Sequence, residues 1–86
     1  MNDSLIEYPS DFPLKIMGER HDTFAQEIVA VVLRHAPDFD PATLAMRASS
    51  GGRYLSVTAT IRATSREQLD ALYRALTAHP MVKVVL

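Results

Sequence analysis

Residues 52–73 read GRYLSVTATIRATSREQLDALY, and in this segment a strand pattern passes directly into a helix pattern. Apolar and polar residues alternate in its first half, as expected for a strand with one buried face and one wet face. The apolar face carries Leu55, Val57, Ala59 and Ile61, and the polar face carries Tyr54, Ser56, Thr58, Thr60 and Arg62. Ser65 and Gln68 then match a capping box, which predicts the start of an amphipathic helix. The segment therefore predicts a small α+β domain with a one-sided sheet.

The composition limits the size and the class of the protein. Its 86 residues, 48% of them hydrophobic, are enough for one domain with one modest core. A formal net charge of -1 gives no overall attraction to nucleic acid or to anionic membranes. The absence of cysteine excludes disulfides and cysteine nucleophiles. The longest apolar run, residues 28–33, is too short to cross a membrane, so we expect a cytoplasmic protein.

The remaining sequence divides into a short tail and one domain. Residues 1–11 are mostly polar and predict an N-terminal tail, and residues 12–86 predict a single domain without a linker or an internal repeat. Within this domain, apolar residues alternate with others over residues 12–19, which predicts a first strand that ends at Gly18. Asp22 or Thr23 can cap a following helix, and Gln26 would complete a capping box from Thr23.

That first helix should end before Pro37, because a proline disfavours helical backbone at the residue before it. Residues 42–49 predict the second strand, and two adjacent glycines in residues 49–52 predict a hairpin turn into the third. In this strand Leu44, Met46 and Ala48 alternate with Thr43, Ala45 and Arg47. Residues 81–86 supply the last strand. Right-handed crossovers then place both helices on one face of a four-stranded antiparallel sheet in the order 4-1-3-2, a ferredoxin-like β-α-β-β-α-β arrangement.

The sequence contains no recognisable catalytic constellation. The three histidines, His21, His35 and His79, are far apart, and none of them has the short helical spacing of a metal site. No serine lies in a nucleophile elbow. We therefore predict that the protein is not an enzyme, and that it uses no catalytic residue, metal or cofactor.

The loop between the first strand and the first helix is one candidate site. Helix N-termini present free amides that bind anions, and Arg20 adds a positive charge beside Gly18 and Glu19. These three residues are therefore candidates for binding a small-molecule ligand.

The polar face of the sheet is the second candidate site. Its expected residues mix apolar, hydroxyl and basic side chains: Lys15, Met17, Arg47, Tyr54, Ser56, Thr58 and Lys83. Met81 and Val85 are expected to project from the same face. Such a mixture suits pairing with another protein or with a second copy of the chain, unless Leu5 and Ile6 of the tail cover it. RNA binding is a weaker alternative, because Tyr54 is the only aromatic residue in a position to stack on a base.

Several motifs in the chain resemble those of a known family. They are Arg34-His35-Ala36-Pro37 and the hairpin segment SSGGRYLSV of residues 49–57. These motifs are similar to those of the YbeD-like family of small bacterial proteins of unknown function, and the resemblance extends from residue 12 to the C-terminus. It implies a ferredoxin-like sandwich similar to the regulatory ACT domains. ACT domains often bind amino acids near the loop after the first strand, which by position is residues 17–20 here.

Two functions are expected from these observations. The first is a non-enzymatic regulatory or protein-interaction module that uses the polar face or an edge of the sheet. The alternative, which the resemblance implies, is an ACT-like sensor of a small ligand such as an amino acid. In that case Gly18, Glu19 and Arg20 would form the binding loop.

Overall fold

The computed structural model describes residues 7–86, which form one four-stranded antiparallel sheet and two α-helices. The elements in chain order are β1 (Ser10–Glu19), α1 (Phe24–His35), a short 3-10 helix (Pro41–Thr43), β2 (Ala45–Ala48), β3 (Tyr54–Ala63), α2 (Arg66–Thr77) and β4 (Val82–Val85). The strands lie in the order β2-β3-β1-β4, which is the predicted order read from the opposite edge. The predicted fold class and topology are confirmed. In residues 7–86 no helix has the length and hydropathy that a membrane span requires.

The core lies between the sheet and the two helices. Its buried side chains from β1 and β3 are Leu14, Ile16, Val57, Ala59, Ile61 and Ala63, and those from the helices are Phe24, Ile28, Val31, Val32, Leu69, Leu72 and Leu76. Fully burying one large apolar side chain stabilises a fold by about 1.5–3 kcal/mol, so this layer is the main source of stability. The alternation predicted for β3 is confirmed from Val57 to Ile61, while Leu55 at the start of the strand is half-buried.

The start of α2 has the predicted serine cap, but its glutamine binds the amide of Thr64 and not that of Ser65. The Ser65 hydroxyl accepts a hydrogen bond from the Gln68 amide at 3.1 Å, and Oε1 of Gln68 accepts one from the Thr64 amide at 2.7 Å. The side-chain amide of Gln68 also donates to the His35 carbonyl at 2.8 Å. One glutamine therefore supports the start of α2 and connects it to the C-terminal end of α1.

The capping box predicted for the start of α1 is wrong. Thr23 precedes the helix, but its side chain makes no capping hydrogen bond. Instead, Nδ1 of His21 accepts a hydrogen bond from the Thr23 amide at 3.2 Å and lies 3.0 Å from the Thr23 hydroxyl. The His21 carbonyl accepts a further hydrogen bond from the Phe24 amide at 3.0 Å. The Thr23 hydroxyl is thus directed toward the His21 imidazole and accepts no hydrogen bond from the Gln26 amide.

Gly18 lies inside β1 and does not end it, since the strand continues through Glu19. It is buried, and a Cβ atom at this position would lie 2.6 Å from Cε1 of Phe24 and would overlap the Met81 carbonyl oxygen. A glycine is therefore required because α1 and the segment before β4 approach the strand too closely for a side chain.

The second strand is shorter than predicted, and its residues are exposed. The residues before it form the 3-10 helix, where the Asp40 carboxylate accepts a hydrogen bond from the Ala42 amide at 3.0 Å. Leu44 packs against the core. Met46, however, is 59% exposed, and Ala48 is also exposed. Met46 and Ala48 alternate in step with Leu44 but are not buried, because β2 is an edge strand and the buried layer does not extend over it.

A β-bulge changes which residues at the end of the chain face the core. The register between β1 and β4 shifts between Met17 and Gly18, so that Val84 pairs with Met17. Val85 then pairs with Ile16 and packs against the core, as does Met81 in the turn before the strand, and the prediction that they project from the other face is wrong. Val84 projects there instead, because the bulge inserts one residue into β4 and reverses the alternation.

Candidate functional site

The sheet face opposite the helices is called the open face here. It consists of Asp11, Pro13, Lys15, Met17, Glu19, Ala45, Arg47, Tyr54, Ser56, Thr58, Thr60, Arg62, Val84 and Leu86. Six of the seven residues predicted for an interaction face therefore lie together on it. Directly opposed residues on one face of a sheet have Cβ atoms about 5 Å apart, so neighbouring strands present one continuous surface.

The strand registers order this surface into rows. Lys15 of β1 lies opposite Thr58 of β3, which in turn lies opposite Ala45 of β2. The next row runs from β4 to β2 and contains Val84, Met17, Ser56 and Arg47. This row is thus apolar on β4 and β1, polar on β3 and basic on β2.

The apolar part includes two residues that sequence reasoning missed. Leu86 exchanges two backbone hydrogen bonds with Lys15, at 3.1 and 2.8 Å, and therefore lies opposite it. Leu86 is 65% exposed and Val84 is 44% exposed, and both adjoin the half-buried Met17. Only the bulge in β4 turns Val84 and Leu86 toward this face, so the sequence pattern carries no signal for them.

Tyr54 is the only aromatic residue of the open face within residues 7–86. It is 37% exposed, and the guanidinium carbon of Arg53 lies 5.5 Å from its ring centroid, in cation–π range. Arg53 therefore already occupies one face of the ring. Within residues 7–86 the open face has no second aromatic side chain on which a base could stack, so the structure adds no support for the RNA-binding alternative.

The basic part of the open face is concave. An open cavity of about 400 Å³ is lined by Lys15, Ala45, Met46, Arg47, Ser56 and Thr58. Arg47 also lines a neighbouring cavity of about 230 Å³, together with Met17, Tyr54 and Ser56. Within residues 7–86, neither Lys15 nor Arg47 belongs to an ion pair. Two cations beside two hydroxyl groups are suited to holding a carboxylate or another oxyanion.

Another cavity, called the loop cavity here, lies beside the loop that follows β1. Its volume is about 290 Å³, and it is lined by Glu19, Arg20, His21, Pro80, Met81 and Lys83. Glu19 and Arg20, predicted to bind a ligand, both line it, whereas Gly18 is buried beneath Phe24. Lys83, expected on the open face, also lines this cavity, and its ammonium lies 3.5 Å from the Glu19 carboxylate. The loop cavity therefore presents both signs of charge.

Two histidines help to hold the walls of the loop cavity. His21 caps α1, and His79 lies in the turn before β4. Nδ1 of His79 accepts a hydrogen bond from the Met81 amide at 3.1 Å, and its Nε2 lies 3.3 Å from Oε1 of Glu27 on α1. An Nδ1 that accepts from a backbone amide leaves the proton of a neutral imidazole on Nε2, which then donates to Glu27. His79 thereby connects the turn before β4 to α1.

The sequence raises two further points: it predicts no metal site, and it offers the N-terminal tail as a cover for the open face. No group of three or more side chains that could hold a metal ion occurs within residues 7–86. Leu5 and Ile6, considered as a cover for the open face, lie outside the described residues. Tyr8, the first aromatic residue after them in the sequence, packs against the core.

Comparison with known proteins finds relatives along almost the whole chain. A family model described as "Protein of unknown function (DUF493)" matches residues 3–86. A UPF0250 protein of Bordetella pertussis is 64% identical over 84 residues, which cover 98% of this chain and 92% of that protein. A UPF0250 protein of Ralstonia nicotianae is 66% identical over 84 residues, which cover 98% of this chain and 87% of that protein. The expected resemblance to small bacterial proteins of unknown function is confirmed.

Solved structures show the same fold at low sequence identity. The solution structure of protein HP0495 from H. pylori matches with a TM-score of 0.72 and 11% identity, covering 94% of this chain and 85% of that chain. The ACT domain from GTP pyrophosphokinase of Chlorobium tepidum matches with a TM-score of 0.66 and 20% identity, covering 88% of this chain and 84% of that chain. The expected similarity to ACT domains is confirmed at the level of the fold.

Proposed function

The chain belongs to the DUF493 family of proteins of unknown function, and we propose that it is a non-enzymatic module that binds another protein through its open face. The observation that carries this proposal is the row Val84, Met17, Ser56 and Arg47, which changes from apolar to basic across four strands. Aromatic residues, methionine and arginine are enriched in protein interfaces, and this face combines all three types. We place this function in the cytoplasm, as the sequence leads us to expect.

The charge of the open face indicates the chemistry of the partner. Lys15, Arg47 and Arg62 project from it, against the carboxylates of Asp11 and Glu19, and Glu19 is already paired with a lysine. The face is therefore basic although the whole chain has a formal net charge of -1. Two such faces would repel each other, whereas a partner that presents carboxylates next to apolar side chains would complement both parts.

Photo-cross-linking in the host cell tests this proposal. A photoreactive phenylalanine analogue replaces Tyr54 on the open face or, as a control, the exposed Arg74 of α2. We expect adducts with another protein from position 54 only, with an acidic peptide at the mapped contact, and we expect Arg47→Glu to abolish them. Adducts of equal yield at both positions, adducts with a second copy alone, or no adducts would each overturn the proposal.

The second candidate function is a sensor of a small zwitterionic ligand, and the loop cavity favours it. Arg20 and Lys83 could bind a carboxylate there, and Glu19 could bind an ammonium group, which is the charge pattern of an amino acid. The fold that the chain shares with an ACT domain supports this candidate only by analogy.

A thermal-shift panel of free amino acids separates this candidate from the first. A ligand that binds only the folded state raises the unfolding temperature in proportion to the logarithm of its concentration above the dissociation constant. We expect at least one amino acid to do so for the native chain and not for Arg20→Ala, with Arg34→Ala on the exposed side of α1 as the matched control. A flat panel at millimolar concentrations would remove this candidate.

A further inference from the structure

The edge strand β2 is uncovered on both of its faces. All four of its residues are exposed, and within residues 7–86 its only neighbour in the sheet is β3. The side chain of Met46, on the helix side, is 59% exposed. Ala45 and Arg47 lie on the open face, opposite Thr58 and Ser56. An edge strand with this exposure is a template for pairing with another extended chain.

The hydrogen-bond pattern shows which backbone groups this edge presents. The Ser49 amide donates to the Tyr54 carbonyl at 2.9 Å, so this pair belongs to the set that bonds across to β3. Bonded and non-bonded pairs alternate along an antiparallel ladder, which places Arg47 in the same set as Ser49. The N–H and C=O groups of Met46 and Ala48 therefore point outward, away from the sheet.

The cavity at this edge adds side-chain chemistry to the free backbone groups. Its lining includes Met46 from the helix side of β2 and Arg47 from the open face, and it extends to Lys15 on β1. A chain that paired with β2 would therefore meet the apolar Met46 on one side and Arg47 on the other, while Lys15, two strands further into the sheet, adds to the positive charge of that side. Successive residues of a strand point to opposite faces, so such a chain would need to alternate in character.

We propose that β2 binds an extended acidic segment of a partner protein as a fifth, antiparallel strand. The proposal rests on the proposed function and identifies the partner chemically. An acidic side chain lies opposite Arg47, in a pair without mutual hydrogen bonds, where opposed Cα atoms approach to about 4.5 Å. The residues on either side of it are apolar and lie beside Met46 and Ala48. The recognised pattern is therefore an alternation of acidic and apolar residues.

Charge distinguishes this occupant from a second copy of the chain. If two β2 strands paired with each other, each would bring another Arg47 to a face that already holds Lys15 and Arg47 without described acidic partners. Like charges on neighbouring strands of one face destabilise the pairing. An acidic segment instead neutralises Arg47, is attracted by the charge of Lys15, and satisfies the same outward backbone groups.

Peptide titration followed by two-dimensional NMR tests the proposal. The probe is a short capped peptide of alternating glutamate and valine, and the control has the same composition with the glutamates in one block. We expect saturable shifts of the amides of residues 45–48 with the alternating peptide, and binding at least about tenfold weaker with the block peptide. Arg47→Glu should abolish binding, and a lysine–valine peptide should then restore it. Arg74→Glu should change nothing.

A backbone variant tests strand addition separately from charge. Met46→Pro removes the outward N–H but leaves the hydrogen bonds of Ala45 and Arg47 to β3 intact, and Met46→Ala is its matched control. We expect the proline variant, its folded spectrum retained, to lose peptide binding while the alanine variant keeps most of it. Equal binding of both peptides, or unchanged binding by Met46→Pro, would overturn strand addition.

Two further results separate this proposal from the proposed function. A concentration-dependent dimer of the native chain that Met46→Pro dissolves would show a second copy at β2 and overturn the acidic segment. Cross-links from position 54 that persist in Met46→Pro would overturn the edge as the partner's site, yet leave the open-face module standing. Loss of those cross-links in Met46→Pro, with retention in Met46→Ala, would support both.

Discussion

The surroundings of Gly18 and those of β2 represent opposite extremes of packing in one small sheet. At Gly18, α1 and the segment before β4 approach β1 so closely that a Cβ atom does not fit. At β2, every residue is exposed. Both strands nevertheless show an alternation of apolar residues in the sequence. Alternation thus predicts which residues share a face, but burial depends on whether helices cover that face.

The largest expected effect comes from filling the packed region. Gly18→Ala places a methyl group against the Phe24 ring and the Met81 carbonyl oxygen. The carbonyl cannot rotate away as a side chain could, so the free energy of unfolding should fall by about 3 kcal/mol, the upper part of the usual range for overpacking. Urea denaturation followed by circular dichroism measures it.

Gly51→Ala is the matched control for this substitution. A Cβ atom at Gly51 would have no neighbour within 4 Å, and the free energy of unfolding should change by less than about 0.5 kcal/mol. If both alanine variants were equally stable, α1 and the segment before β4 would not approach Gly18 closely. The difference in packing between Gly18 and β2 would then not hold.

The second prediction compares two residues that face each other across one strand pair. Val57 and Met46 are cross-strand partners on the helix side of the sheet, yet Val57 is 0% exposed and Met46 is 59% exposed. Val57→Ala should lower the free energy of unfolding by about 2 kcal/mol, because it removes two buried carbon atoms and leaves a cavity. Met46→Ala should lower it by less than about 0.5 kcal/mol.

Chemical denaturation of both variants under identical conditions checks this pair. Equal losses would show that the buried layer extends over β2, which would remove the basis for an uncovered edge. A stabilised Met46→Ala would sharpen the comparison further, because it would show that the exposed methionine is retained for something other than stability.

These contrasts explain how much of the fold the sequence could reveal. For β3 and α2, the periodicity and the Ser65 cap predicted the elements correctly, because a helix layer covers one side of the strand and the cap is local. The reversal at Val84 depends on a bulge in β4, which arises from its pairing with β1 and leaves no mark in the local pattern. The imidazole cap of α1 was missed because His21 is not a usual capping residue.

The residues of the candidate sites also divide into those that the local sequence pattern places and those that only the tertiary structure places. Arg47, Tyr54 and Ser56 could be placed on one face from alternation alone. That Lys83 lines the loop cavity with Glu19 and Arg20 could not be foreseen, because it requires the register of β4 against β1 and the position of the turn before it. Sites built within one strand pair are readable from sequence, whereas sites built between distant segments need the tertiary structure.

A smaller effect distinguishes the two predicted capping boxes. Ser65 accepts the Gln68 amide hydrogen bond, so Ser65→Ala should lower the free energy of unfolding by about 1 kcal/mol. Thr23 makes no capping bond, and Thr23→Ala should cost only a few tenths of a kcal/mol, roughly the value of an exposed hydroxyl contact. Thermal unfolding of both variants measures the difference, and a larger loss for Thr23→Ala would contradict the assignment of His21 as the cap.

The smallest expected effect lies at the rim of the loop cavity. The side chains of Lys83 and Glu19 are each 60% exposed, and their charged atoms lie 3.5 Å apart. An exposed pair of this kind contributes little, so Lys83→Gln should change the free energy of unfolding by less than about 0.5 kcal/mol, and by still less at high salt. A loss above about 1 kcal/mol would show that the ion pair contributes to folding stability, as the packed surroundings of Gly18 do. The expected small loss instead means that Lys83 can exchange its contact with Glu19 for one with a ligand at almost no cost in folding stability.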